Sequence, residues 1–436
     1  MKLFPHQIKS LDLTKNYNRC AYYLDMGLGK TFVGAEKMIQ LGSKLNLVVC
    51  QKSKVDDWVN HFINNYKNIV VCNLTKSNRL NGFLKWNENN ESNYFHDVRK
   101  CNMIVGIINY DLIWRRPELK NLSDFTLMLD ESSLIANEGS KRSRFILRLK
   151  PSNCILLSGT PISGKYEQLW SQCRLLGWKI KKSEFYNKYI ITRKIEVMPN
   201  VMKDIVVGYR NVEDLKAQLR SYGAVFMKTE EVMDLPQQID QMIYVDPTPE
   251  YKKFVKNKYI ELKDGTELAG DNSLTFNLYA RQLCGQYSKN KLAAFKDLVE
   301  STDDRLVVFY SFTEELNELK QIASECHRPI SEVNGKIRDL SNYEDKDDSI
   351  TFVQYQAGAM GLNLQQKANK LIYYTLPLGK GSCQLWTQSK KRIHRIGQTK
   401  TCFYYYLLSK QSIEIDNLEA LKLGRDLTDD LFKEEV

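Results

Sequence analysis

At 436 residues the chain exceeds what one ordinary hydrophobic core organises, and two domains are expected. Its 43% hydrophobic and 26% charged residues describe a globular chain, with no apolar run long enough to cross a bilayer. Lys and Arg outnumber Asp and Glu by 63 to 52, a net charge of +11 that favours a polyanionic partner without naming one. The ten cysteines are scattered singly with no CxxC pair, and the five histidines do not cluster beside them. That spacing argues against a zinc site and a disulfide framework and for buried, reduced thiols. The opening stretch MKLFPHQIKSLDL has neither a long apolar segment nor a small-residue cleavage site, so no secretory signal is expected.

In chain order, CAYYLDMGLGKT (20–31) reads as a short apolar strand, a glycine turn and a helix starting near Lys30. Backbone N–H groups of such a turn wrap phosphate oxygens, and the helix N-terminus adds its positive dipole end. Asp25, Met26, Gly27, Leu28, Gly29, Lys30 and Thr31 form the candidate nucleotide loop. Lys30 would reach the β- and γ-phosphates and Thr31 would hold Mg²⁺ through its hydroxyl. The strict loop pattern has glycine at position 24, where this chain has leucine. LNLVVCQKS (45–53) and MIVGIINYD (103–111) read as buried strands ending in polar turns. DFTLMLDES (124–132) is an apolar strand ending in two acids. Asp130 is placed to hold Mg²⁺ through water, and Glu131 to polarise an attacking water. NCILLSGTPI (153–162) is a further strand, ending in Ser158, Gly159 and Thr160. Strands alternate with helical stretches such as TFVGAEKMIQLG and VDDWVNHFINNY. That is the α/β pattern of a parallel sheet covered on both faces, with ligands at its carboxyl edge.

KRSRFILRLK (141–150) reads either as a solvated helix or as one touching a nucleic-acid backbone. The same two readings apply to the lysines of TPEYKKFVKNKYIEL (248–262). There Tyr251, Phe254, Val255, Tyr259 and Leu262 recur at helical spacing and are expected to face a core. LVVFYSFTEELNELK (306–320) is a strand followed by an amphipathic helix. ITFVQYQAGAMGLNLQQKANKLIYYTLPL (350–378) holds two strands around a glycine-rich turn. QLWTQSKKRIHRIGQTK (384–400) carries a basic run in register with Gln388, Gly397 and Gln398. The final stretch, DLTDDLFKEEV, is acidic and expected to be exposed.

The ordered set PHQIKSL, LDMGLGKT, VVCQKSKVDDW, INYD, LDES, LLSGTPI and QSKKRIHRIGQ resembles the Snf2-like branch of the superfamily 2 nucleic-acid motors. The resemblance covers nearly the whole chain. It implies two RecA-like lobes, 1–235 and 236–436, each a mostly parallel sheet with helices on both faces. It places the ATP site at the lobe interface and implies an ATP-dependent translocase on DNA, duplex favoured, with Mg²⁺. By resemblance Gln7 recognises adenine, and Arg392 and Arg395 approach the ATP as arginine fingers. Gly361 and Asn363 match the glycine-rich motif, and Gly361 is counted with the nucleotide site. Two departures stand out. The family's DExH box reads Asp130-Glu131-Ser132-Ser133, which puts coupling between motifs in question. The hydroxyl pair opening the glycine-rich motif is replaced by Gln354 and Tyr355, which puts its usual track contact in question. A strand-separating DNA or RNA helicase, for which no wedge element is visible in the sequence, and a nucleotide-gated DNA clamp are the alternatives. Abundant Lys, Asn and Tyr suit an AT-rich genome. A monomer in the cytoplasm of a bacterium or phage-infected cell is expected, with no membrane partner.

Overall fold

The computed structural model describes residues 3–89, 103–198, 201–355 and 362–432. Its chain divides into two units, residues 1–232 with 427–436, and residues 233–426. Among the described residues no helix is long and apolar enough to cross a membrane.

The first unit is built on strands β1 (Arg19–Leu24), β2 (Leu45–Cys50), β3 (Ile69–Asn73), β4 (Met103–Asn109), β5 (Phe125–Asp130), β6 (Asn153–Ser158) and, after an antiparallel hairpin β7 (Ile190–Met198) and β8 (Val201–Tyr209), β9 (Ala224–Met227). Its seven-stranded sheet has the order β3-β4-β2-β5-β6-β1-β9, with every pairing parallel. Parallel sheets are covered on both faces, so their strands have no polar side to spare. β2 and β4 are accordingly buried along their whole length, and β5 and β6 nearly so. The helix Lys30–Leu41 packs on β5 and β6. Gly34 allows the close approach: a Cβ there would lie 2.7 Å from Leu157 and 2.9 Å from Met128. This closeness seats the helix start, with Lys30, at the carboxyl edge of the sheet.

The second unit contains β10 (Gln238–Val245), a small antiparallel pair β11 (Tyr259–Glu261) and β12 (Glu267–Ala269), then β13 (Leu306–Tyr310), β14 (Ile330–Val333), β15 (Arg338–Asp339), β16 (Ile350–Gln354), β17 (Lys370–Tyr373) and β18 (Cys402–Ser409). Its large sheet runs β10-β18-β17-β13-β16-β14-β15, parallel except at the β14–β15 edge. Two large, mostly parallel sheets flanked by helices are the expected α/β architecture.

Two expectations fail. The stretch 248–262 is not one helix. Its helix, Pro249–Asn257, ends where Lys258 takes a left-handed φ of 56° and its N–H caps Phe254 at 2.7 Å. The side-chain period then changes from helical to alternating. Tyr251 and Phe254 are buried as expected, whereas Val255 is 42% and Tyr259 44% exposed and Ile260 takes the inward position. The acidic tail is also not simply exposed. Leu431 and Phe432 lie in the core of the first unit, with Phe432 edge-on to Phe226 at 5.5 Å. Asp430 accepts from Tyr166 Oη at 2.9 Å and pairs with Lys216 at 3.0 Å, while Asp429 pairs with Lys228 at 3.4 Å. Charge at these positions is paired, and the apolar residues after it supply the packing.

Candidate nucleotide site

The glycine turn follows β1. Gly27 and Gly29 have φ of 95° and 75°, a conformation that costs an L side chain and costs glycine little. A Cβ on Gly29 would also collide with Gln7 Nε2. Gln7 is buried and used at both ends: Phe4 N donates to its Oε1 at 3.0 Å, and its Nε2 donates to Leu28 O at 3.2 Å. His6 Nε2 donates to the same carbonyl at 3.0 Å. The PHQ stretch thus rests directly on the loop. Leu28 is buried, and Asp25 is an anchor. Its Oδ1 caps Met26 N at 2.8 Å and its Oδ2 accepts from Thr229 Oγ1 at 2.8 Å.

The Lys30 ammonium donates to Leu24 O at 2.9 Å and Asp25 O at 3.3 Å, and a Cβ on Gly159 would lie 3.0 Å from it. Gly159 is therefore the residue that makes room for the lysine beside β6. Thr31 is half-buried, one residue further into the helix.

The two acids stand at the end of β5, next to β6 in the sheet. Burial pushes the Asp130 carboxyl above the usual carboxylate range. The Trp58 N–H, which donates to Asp130 Oδ2 at 2.8 Å, and the charges of Lys30 and Lys54 oppose that shift. Glu131 sits at φ 59° and ψ 61°, a left-handed position rare for a side chain of its size and of a kind that clusters at functional sites. Tyr110 Oη donates to the Asp130 carbonyl at 3.0 Å and shares a longer 3.3 Å contact with that of Glu131. Ser158 Oγ donates to Glu131 Oε2 at 3.2 Å. Ser132, standing within the altered DExH box, donates to Gln172 Oε1 at 2.7 Å, while Gln172 Nε2 donates to Pro161 O at 2.8 Å. The acid turn is therefore linked to the LLSGTPI segment through Ser158 and through Gln172. The link runs through Ser132, the residue before Ser133, which stands at the histidine's place. His6, Trp58, Tyr110 and Gln172 carry this framework and were not among the residues singled out from sequence.

In the second unit the QSKKRIHRIGQ stretch begins in the last turn of the helix Ser382–Lys390 and runs on past its end. Arg392 is only 2% exposed. Its Nη1 donates to Leu362 O at 3.2 Å, and its own carbonyl accepts from Leu364 N at 3.2 Å. Arg395 is half-buried and donates to Asn363 Oδ1 at 2.7 Å, with burial drawing its pKa down from the usual guanidinium range. His394 Nε2 donates to Pro236 O at 2.8 Å. Lys390 pairs with Asp240 at 2.7 Å and lies 4.4 Å over the Tyr404 ring. Gly397 takes φ 94°, and Gln398 Nε2 donates to Ala368 O and Ile393 O while its Oε1 caps Thr399 N and Lys400 N. Gly361 lies outside the described residues, as do residues 356–360 of the glycine-rich turn.

A phosphate loop, a strand-end acid pair and a β6 hydroxyl at one edge of a parallel sheet define a P-loop nucleotide-binding unit. A family model described as "SNF2-related domain" matches residues 11–289, and the chain belongs to that family. It is 22% identical to the uncharacterized ATP-dependent helicase MG018 of Mycoplasma genitalium over 72% of this chain and 31% of that one. It is 23% identical to the ATP-dependent DNA helicase DDM1 of Arabidopsis thaliana, over 89% of this chain and 56% of the other. Against the mouse SWI/SNF-related matrix-associated actin-dependent regulator of chromatin subfamily A member 1 the identity is 21%, covering 89% and 39%. The chain thus spans between about a third and just over half the length of these relatives.

Proposed function

We propose that this chain hydrolyses ATP and uses the cycle to move along duplex DNA. The observation that carries the reading is the convergence of Lys30, Asp130, Glu131 and Ser158 at the carboxyl edge of the first sheet, in a chain of the SNF2-related family. Phosphoryl transfer needs positioning and charge more than covalent help from the protein. Lys30 would neutralise the β- and γ-phosphates. Glu131, oriented by Ser158, would accept a proton from the attacking water. The donor set of Thr31 hydroxyl, Asp130 carboxylate and phosphate oxygens suits Mg²⁺, a hard cation commonly held by one or two carboxylates plus substrate phosphates. Bound there, it would offset charge on the β- and γ-oxygens. Gln7, already seated on the loop, would report adenine occupancy to it. Arg392 and Arg395 would supply guanidinium charge to the transferring group. For Arg392 that role has to coexist with its bonds inside the second unit.

A cavity of about 550 Å³ lies at the carboxyl ends of β2, β3 and β4. Lys52, Arg115, Asn73, Thr75 and Asn109 on its wall would suit sugar-phosphate oxygens, which position a protein without reading sequence, while Asp56 and Asp111 on the same wall offset the two cations. Trp114 beside it carries Arg115 and Lys141 over its ring, at 4.9 and 4.8 Å. A second reading, strand separation, is favoured by the β7–β8 hairpin, two nine-residue strands that are largely exposed.

ATPase rates with duplex DNA, single-stranded DNA and RNA test the track, followed by triplex displacement for stepping. Duplex stimulation with displacement is expected. Stimulation by RNA alone would overturn the DNA assignment. Unwinding of a forked duplex that is lost on shortening the hairpin, with ATPase kept, would favour the second reading.

A further inference from the structure

We propose that Trp58 is a positioning residue for Asp130, fixing through its indole N–H the carboxylate that would hold the divalent cation; the inference rests on the nucleotide-site reading above. Trp58 lies on the helix Val55–Asn65, which follows β2, and β2 is the neighbour of β5 in the sheet. Neighbouring parallel strands bring the segment after one beside the end of the other. The indole therefore meets an acid 72 positions further along the chain, at 2.8 Å.

The plain alternative is that Trp58 is core. It is 1% exposed, stacked on Phe62 at 5.8 Å and edge-on to His61 at 5.7 Å, so its ring does pack. Packing alone would be met by phenylalanine. A buried indole N–H needs an acceptor, and the acceptor here is the strand-end carboxylate. Hydrogen bonds to ionised groups are roughly twice as strong as neutral ones, and they fix direction as well as distance. Tyr110 acts on the same turn from the opposite covalent side: it holds the backbone carbonyl of Asp130 while Trp58 holds the side chain. Two aromatic donors, from the segments after β2 and β4, thus set both the main chain and the carboxylate torsion at this residue. Partners of this kind behind a metal ligand are generally worth about 10- to 100-fold in metal affinity.

The test measures binding rather than turnover. A fluorescent ATP analogue is titrated with and without MgCl₂ into the full chain and into Asp130→Asn, Trp58→Phe and a protein carrying 3-benzothienylalanine at position 58. That analogue keeps the bicyclic shape and lacks the N–H, so it preserves packing if the phenylalanine variant does not fold. Expected are unchanged nucleotide affinity without Mg²⁺ and a half-saturating Mg²⁺ concentration raised about 10- to 100-fold for the Trp58 variants. Wild-type Mg²⁺ dependence in both Trp58 variants, with the dependence lost in Asp130→Asn, overturns the proposal alone. Nucleotide affinity falling equally with and without Mg²⁺ in the benzothienylalanine protein also overturns it, in favour of core packing. Mg²⁺ dependence that survives Asp130→Asn overturns the assignment of Asp130 as the cation's holder, and the proposal with it.

Discussion

The acid turn of the first unit and the arginine stretch of the second contain equally conspicuous motifs, and the structure uses them differently. Around Asp130 and Glu131, residues outside the acid pair do the holding: Trp58, Tyr110, Ser158 and Gln172 serve the acids and their turn. In QSKKRIHRIGQ the motif residues themselves do the holding. Lys390, Arg392, His394 and Gln398 each bond to their own unit, and Gly397 supplies a backbone angle that other residues adopt at a cost. The two motifs are therefore held in opposite ways, and substitution should tell what each contributes.

The largest separation is expected in the first unit. Lys30→Ala should abolish hydrolysis by removing the loop's cation. Glu131→Gln should retain ATP binding and lose turnover, because the amide accepts no proton. Both should melt like the parent protein. A melting temperature that drops along with activity would break the comparison from the side of the acid turn.

Arg395→Ala comes next. As an arginine finger its loss should lower DNA-stimulated turnover by about 10³–10⁵, with ATP affinity nearly intact. The reading is made on ATPase rate against DNA concentration. Recovery to the parental maximum at saturating DNA would move Arg395 from the ATP to the track.

Arg392→Ala should add an architectural cost to the loss of turnover expected of an arginine finger. It leaves the Leu362 carbonyl without its donor in a buried place, a loss of about 1–3 kcal/mol. Urea titration should show the shifted midpoint. Unchanged stability with lost turnover would bring Arg392 back beside the acid turn in kind.

How much of this was legible in advance follows from the range of the interactions. The strands of both sheets were readable because parallel, doubly covered strands are continuous apolar runs, as in LNLVVC and MIVGIIN. Lys30 was readable because it opens a helix after a glycine turn, and Asp130 because it sits where a strand stops. Trp58 was not, because its role is created by pairing between β2 and β5 and by a partner 72 positions away. Gln172 was not, because an amide inside a helical stretch has no local signature. The departure at Tyr259 has a local cause: a left-handed Lys258 ends the helix early, and lysine is not the residue that usually signals such a stop; Val255 lies within the helix, on its exposed side.

The smallest expected effect concerns pH and the aromatic cluster behind Trp58. Burial draws the His61 pKa below the ordinary histidine value of 6.5, and its Nε2 has no hydrogen-bond partner among the described residues. The unfolded chain binds that proton more readily than the folded one, so the folded form should lose stability as pH falls below about 6.5. Thermal melts between about pH 5 and 7 should show this slope, and His61→Phe should flatten it.

The placement of Leu431 and Phe432 in the core of the first unit bears on the order of events during synthesis. A ribosome delivers residues 1–232 first, yet that unit's interior still awaits two apolar side chains encoded after the whole of residues 233–426. Domains made early usually fold early. Here the early domain would wait with part of its interior uncovered, and its last packing step would come only when the helix Ile413–Asp430 and the two residues after it have left the exit tunnel.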